Sequence, residues 1–251
     1  MGRGGRAFTR LDLTVLTGVL FFLSLWFGLG RAGETGRIAR CAANLAGLGR
    51  AMQGFENDHG SALPPASIDP QRLAWDSQIM PYLSHDSYGD DPGTPFGCPS
   101  DRRVRSRPRS YAMSAHDMQW ENWPPGPDNA TGVGLVWTKE TLQRLLGDDA
   151  VKTAATNTEV LAMVKQSAIV APASTVVLTE LFKAGNNLKD TKMAAVSGPG
   201  EQLEQFMTSN APIHFRRCNY LMLDGHVELL SPLQAGTAPG VRNLWNISKQ
   251  D

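Results

Sequence analysis

An apolar run preceded by a short basic segment constrains this chain more than any other feature. Arg3, Arg6 and Arg10 precede an uncharged stretch from Leu13 to Leu29 that includes Val15, Leu16, Val19, Leu20, Phe21, Phe22, Leu23, Leu25, Trp26 and Phe27. About 18 to 20 apolar residues at 1.5 Å rise cross a hydrocarbon core of roughly 30 Å, so the run reads as a transmembrane helix at the lower limit of length. The positive-inside tendency keeps the basic residues 1–10 in the cytoplasm and exports everything after Gly30, which makes the chain single-pass. A removable signal peptide is the competing reading. Gly30-Arg31-Ala32-Gly33 is a poor small-residue cleavage site because of its arginine, so a retained anchor is expected.

Behind the run, Gly28, Gly30, Gly33 and Gly36 predict a kink, since each glycine costs a helix interior about 1 kcal/mol relative to alanine. Ile38, Cys41, Leu45, Leu48, Met52 and Phe55 then recur at spacings of three and four, a narrow apolar stripe on a helix. Asn57 to Gly60 end it and Pro64-Pro65 prevent its resumption. The expected organisation is a helix from about Thr9 to Glu56, interrupted near 28–36, of which 8–30 is transmembrane and 31–60 packs on a globular domain. Residues 61–251 form that exported domain. The 251 residues carry zero formal net charge, which gives no sign of nucleic-acid binding.

The exported part reads as α+β, with an antiparallel sheet built from Arg109 to Ser114, Thr175 to Phe182, Cys218 to Leu223 and His226 to Leu230. Asp224-Gly225 is a favoured dipeptide for a two-residue type I′ turn and joins the last two strands as a hairpin. Helices are expected at Lys139 to Leu146 and at Thr158 to Ile169, the second opened by a Thr156 and Glu159 capping box.

Candidate chemistry is sparse. A strand running straight from 214 to 223 sets His214 roughly 30 Å from the turn beside which His226 lies, so a turn aspartate and a strand-capping histidine take precedence over a shared metal. Three cysteines lie on the exported side, where disulfides form, and the odd count leaves at least one unpaired. Cys41 with Cys98 is the preferred pair, set against no bridge at all. Arg102, Arg103, Arg105, Arg107 and Arg109 read as a solvated basic segment, and Glu180 as a strand residue facing water or an arginine. Asp86, Asp90 and Asp91 fit no EF-hand spacing. With no Gly-x-Ser-x-Gly elbow, no HExxH and no phosphate-binding glycine loop, the reading assigns no catalytic residue, cofactor or metal.

Several short motifs, in order, carry a resemblance. Ala7-Phe8-Thr9-Arg10-Leu11-Asp12 is similar to the leader junction of type IV prepilins and type II secretion pseudopilins. The chain departs from that pattern in having Ala7 for glycine, Asp12 for glutamate and Arg10 at an apolar position. Cys41 to Gly49, Pro81-Tyr82-Leu83, Cys98-Pro99-Ser100-Asp101, Ser110-Tyr111-Ala112-Met113 and Pro172 to Glu180 resemble successive motifs of pilin-like proteins of planctomycete and verrucomicrobial type. His214, followed by nine residues and then Asp224-Gly225-His226, resembles the prepilin-associated H-X9-DG domain.

The resemblance implies a pilin-like fold, with 1–7 as a cytoplasmic leader, Ala7 its last residue and Phe8 the mature N-terminus after cleavage by a prepilin peptidase. Asp12 becomes the acid that meets a neighbouring subunit's freed amine during assembly. The expected protein is a non-enzymatic inner-membrane subunit of a type II secretion or type IV pilus-type assembly, with its head in the periplasm and other pilin-like subunits as partners. Two alternatives are a monomeric, membrane-anchored binding module on the same fold and a metal-dependent envelope enzyme built on His214, Asp224 and His226.

Overall fold

The computed structural model describes residues 9–83, 95–101, 109–116, 132–154, 161, 163–183, 185–208, 213–237, 244–245 and 247. Ala7, Phe8, the acidic segment 86–91, the arginines at 102–107 and the capping box at 156–159 lie outside them.

Helix α1 (Arg10–Asp58) is continuous over 49 residues, roughly 70 Å of rod. It opens on a capping box: Thr9 Oγ1 accepts from the Asp12 backbone N–H, and the Asp12 carboxylate accepts from the Thr9 backbone N–H and hydroxyl. The break expected between Gly28 and Gly36 does not form. A penalty of about 1 kcal/mol per glycine is met by the hydrogen-bond ladder on either side, and Glu34 pins this stretch to the head.

The reading of the N-terminal run as a transmembrane helix is corrected. Among the described residues no helix is long and apolar enough to cross a membrane. The uncharged stretch from Leu13 to Leu29 rises roughly 25 Å along the helix, short of a hydrocarbon core of roughly 30 Å, and Asp12 bounds it on its N-terminal side.

The remaining elements follow in order: β1 (Ser67–Ile68), β2 (Leu73–Ala74), α2 (Trp75–Ile79), β3 (Tyr111–His116), β4 (Gly134–Trp137), α3 (Lys139–Leu146), α4 (Asp148–Ala154), β5 (Val176–Glu180), β6 (Ala195–Val196), α5 (Pro199–Thr208), β7 (Cys218–Met222) and β8 (Val227–Leu230). The strands form one eight-stranded sheet in the order β2-β1-β4-β3-β5-β7-β8, with β6 paired to β3. The four expected strands are its antiparallel half, β3-β5-β7-β8. An all-antiparallel sheet is corrected to a mixed one, because β1 pairs with β4, and β3 with both β4 and β6, in parallel. These extra strands are two to four residues long, too short to show an alternation in sequence.

Both faces of the sheet are covered. The rear half of α1 lays Cys41, Leu45, Leu48, Met52 and Phe55 on one face, against Met113, Leu178 and Leu221. Gly49 lets it approach β7, since a Cβ there would stand 3.1 Å from Leu221 Cδ1. On the other face Cys218, Tyr220 and Met222 of β7 pack with Phe206 of α5 and with Leu244 and Trp245. The period of two along β7 divides its side chains between the two cores. Each large apolar side chain fully buried contributes about 1.5 to 3 kcal/mol.

Helix α3 forms where expected, with Thr138 as its N-cap. Of the helix expected at Thr158 to Ile169, the described residues form only a single 3-10 turn, Gln166–Ala168, and Leu63 N–H bonds the Val164 carbonyl across the chain instead. Tertiary pairing with the segment after α1 overrides the helical propensity there.

Candidate functional site

The rear half of α1, the turn at 95–101, the end of β5 and the turn before β7 converge on one buried cluster. Cys41 and Cys98 are joined as a disulfide, their Cα atoms 5.3 Å apart. Asn44 Nδ2 donates to the Gly97 carbonyl at 2.9 Å, so the turn that carries Cys98 is held to α1 twice. Over the disulfide sits His214, whose Nε2 lies 3.2 Å from Cys98 Sγ.

His214 is fully buried between two carboxylates. Its Nδ1 is 2.8 Å from Glu34 Oε1 and its Nε2 is 3.1 Å from Glu180 Oε1. The flanking acids are themselves satisfied. Glu34 also accepts from the Ser100 hydroxyl at 2.8 Å, the His214 backbone N–H at 3.1 Å and Arg37 Nη1 at 2.6 Å. Glu180 accepts from the Asn219 backbone N–H at 2.9 Å and from Asn219 Nδ2 at 3.0 Å.

Burial raises the Glu34 carboxyl, but the hydrogen bonds from Ser100, His214 and Arg37 overcome it and bring the pKa down to about 2. Burial also disfavours a charged imidazole at 214, yet the hydrogen bond and charge of Glu180, followed by those of Glu34, raise its pKa above the usual histidine value. The result is an imidazolium clamped between carboxylates from α1 and β5. His214 reaches it from a left-handed backbone, with φ of 50° at His214, 55° at Phe215 and 62° at Arg216. Three successive non-glycine residues in that region cost on the order of 1 kcal/mol or more each and persist because the cluster holds them.

Glu180 therefore neither faces water nor pairs with an arginine, as the strand pattern had predicted. It is fully buried and partnered by His214 and Asn219. Glu34 escaped sequence reasoning because it lies among the glycines, although it stands seven residues before Cys41 and so on the same face of α1.

The hairpin is separate from this cluster. Pairing of Cys218 with Leu230 and of Leu221 with Val227 places His214 and His226 at opposite ends of the β7–β8 ladder. The two-residue turn expected at Asp224-Gly225 is a three-residue loop, Leu223 to Gly225, because Met222 N–H bonds the His226 carbonyl; Gly225 supplies its positive φ of 94°. Asp224 Oδ1 accepts from the His226 backbone N–H at 3.1 Å and meets His226 Nδ1 at 2.5 Å, while His226 Nε2 is 3.2 Å from Glu228. An enzyme site uniting His214, Asp224 and His226 has no support in this geometry. Asp12, the candidate assembly acid, is exposed and engaged in capping α1.

Arg109 also departs from its reading as part of a solvated run. It is buried, with Nη1 3.1 Å from Asp76 Oδ1 and Nε donating to Asn186 at 2.6 Å. The Asp190 and Lys192 carbonyls take its Nη2 at 3.0 and 3.1 Å. Burial raises the Asp76 carboxyl despite the opposing charge of Arg109.

Several segments that are separate in sequence are thus brought into contact: Asn44 and Cys41 on α1, Cys98 and Ser100 in the turn, Glu180 at the end of β5 and His214. No protein family, curated protein or solved structure matches this chain.

Proposed function

We propose that this chain is a pilin-like or pseudopilin-like structural subunit of a type II secretion or type IV pilus-type assembly, working at the inner membrane with its head on the extracytoplasmic side. The observation that carries this reading is the division of labour along α1. Its rear half is buried on the sheet, while Leu11, Leu13, Val15, Leu16, Val19, Leu20, Phe21, Phe22 and Leu23 in its front half are 47% to 75% exposed. Nine large apolar side chains on one free rod are an unfavourable arrangement in water. Covering them releases on the order of 10 kcal/mol, comparable with the roughly 4 to 15 kcal/mol cost of association. Packing against several like helices supplies that cover.

The head suits the role. Its disulfide belongs to an oxidising compartment, and the Glu34–His214–Glu180 clamp fixes α1 rigidly to the sheet. A load applied to the rod is therefore delivered to the head. The Ala7-Phe8 junction adds a processing step by a prepilin peptidase.

Two measurements on the full-length chain in its native envelope test this. N-terminal mass spectrometry is expected to find Phe8 as the first residue; an intact Met1 or Gly2 in cells with active peptidase refutes the processing. Native-size separation is expected to place the chain in a large assembly. A monomer there favours the binding-module alternative and refutes the subunit reading.

A further inference from the structure

The cluster at His214 has a composition that neither the clamp nor an assembly role requires. Cys41, Cys98, Glu180 and His214 each offer one ligand atom, all four atoms lie within 4.8 Å of one another, and all four residues are buried. They come from four different segments: α1, the 95–101 turn, β5 and the turn before β7. Two thiolates, an imidazole and a carboxylate are all zinc ligands, and four of them suffice for a tetrahedral site. Bond lengths of about 2.0 to 2.3 Å imply donor separations of about 3.3 to 3.8 Å around such an ion. His214 Nε2 already stands 3.2 Å from Cys98 Sγ and 3.1 Å from Glu180 Oε1.

The surroundings are arranged as a metal site needs. A ligating histidine is oriented by donating its other ring N–H to a carboxylate, and Nδ1 of His214 is 2.8 Å from Glu34 Oε1, which leaves Nε2 to face the sulfurs. Ligating carboxylates are held by further hydrogen bonds, and Asn219 binds Glu180 through both its backbone and side-chain nitrogens.

We propose that the reduced, dithiol form of this chain binds one zinc-class divalent ion through Cys41, Cys98, His214 and Glu180, so that the cluster is a metal centre when reduced and a disulfide when oxidised. Reduction by a dithiol or phosphine takes two electrons and two protons into the Cys41–Cys98 bond, gives two thiols and leaves the reductant oxidised. The ion then displaces both thiol protons and the Nε2 proton of His214, while the Nδ1 proton stays directed at Glu34. Oxidation runs the reverse course: the S–S bond re-forms, two electrons pass to the oxidant and the ion is released. The same four residues can therefore lock the newly made chain before its disulfide closes and lock it afterwards.

The test uses the full-length chain, stripped of metal, oxidised or reduced anaerobically with a phosphine, then incubated with Zn2+ or Co2+ and freed of excess. The reduced chain is expected to retain one ion, with a thiolate-to-cobalt charge-transfer band in the Co2+ sample, and the oxidised chain none. Cys218→Ser removes the remaining thiol and is expected to keep the ion. His214→Ala is expected to lose it while its oxidised form keeps the wild-type circular dichroism, and Glu34→Gln to weaken binding about 10- to 100-fold. If reduction unfolds the metal-free chain, Zn2+ is expected to restore its circular dichroism. Failure of the reduced chain to take up metal, whether it stays folded or remains unfolded with Zn2+, overturns the proposal, as does equal retention by both redox forms.

Discussion

Replacing Glu34 by glutamine isolates the contact that ties the rod to the head. The wild-type carboxyl falls from an unfolded value of 4.5 to about 2 in the fold, roughly 2.5 units at 1.36 kcal/mol each, or about 3 kcal/mol of folding stability. A depressed carboxyl contributes fully above its unfolded value and loses its contribution as pH falls from 4.5 through about 2. Glu34→Gln is therefore expected to be about 3 kcal/mol less stable than wild type at pH 7. The gap narrows steadily below pH 4.5 and shrinks to under about 1 kcal/mol near pH 2, where the wild-type acid is itself being neutralised. Urea unfolding of the full-length chain in mild detergent, followed by the fluorescence of the buried Trp75, Trp137 and Trp245, measures this at each pH. A pH-independent difference refutes the reasoning, and so does no difference.

Other consequences follow from the same structure. His214 has a raised pKa, so its contribution is complete below about 6.5 and is lost as pH climbs through the raised value; His214→Gln is expected to flatten the alkaline limb of the stability profile measured by urea unfolding. Opening the Cys41–Cys98 bridge releases a loop of 57 residues, and a Cys41→Ser, Cys98→Ser chain without metal is expected to lose roughly 4 kcal/mol in the same assay. Arg109→Leu leaves Asp76 buried without its guanidinium and is expected to cost about 3 to 5 kcal/mol. Gly134→Ala brings a Cβ to 2.8 Å from Ala66 Cβ and Met113 Cγ, for an expected loss of about 1 to 3 kcal/mol, read as a lowered Tm.

Legibility varied with the range of the signal. The stripe through Cys41, Leu45, Leu48 and Phe55 named the buried face of α1 because helical period is a local property. The strands at 111–116, 176–180, 218–222 and 227–230 were legible for the same reason. Strands β1, β2, β4 and β6 were not, because segments this short are defined by the neighbour they pair with. The glycines at 30, 33 and 36 implied a break, yet whether a helix breaks depends on what its flanking turns hold, and Glu34 is held from Ser100 and His214, far away in sequence. The polar cluster was only half legible. His214 and Cys98 stood out in the sequence as a candidate histidine and a candidate disulfide partner, whereas Glu180 reads as an exposed strand acid until the sheet is closed by β7 and covered by α1.

The central claim, that the exposed apolar half of α1 is a surface for like subunits, is tested most directly by crosslinking through it. Single cysteines placed by Leu13→Cys, Leu16→Cys, Val19→Cys and Leu23→Cys in the full-length chain, oxidised in the native envelope, are predicted to give ladders of crosslinked copies. Yields should rise and fall with the helical period along the rod. Monomer alone at every position, with the cysteines shown to be reactive, contradicts the account.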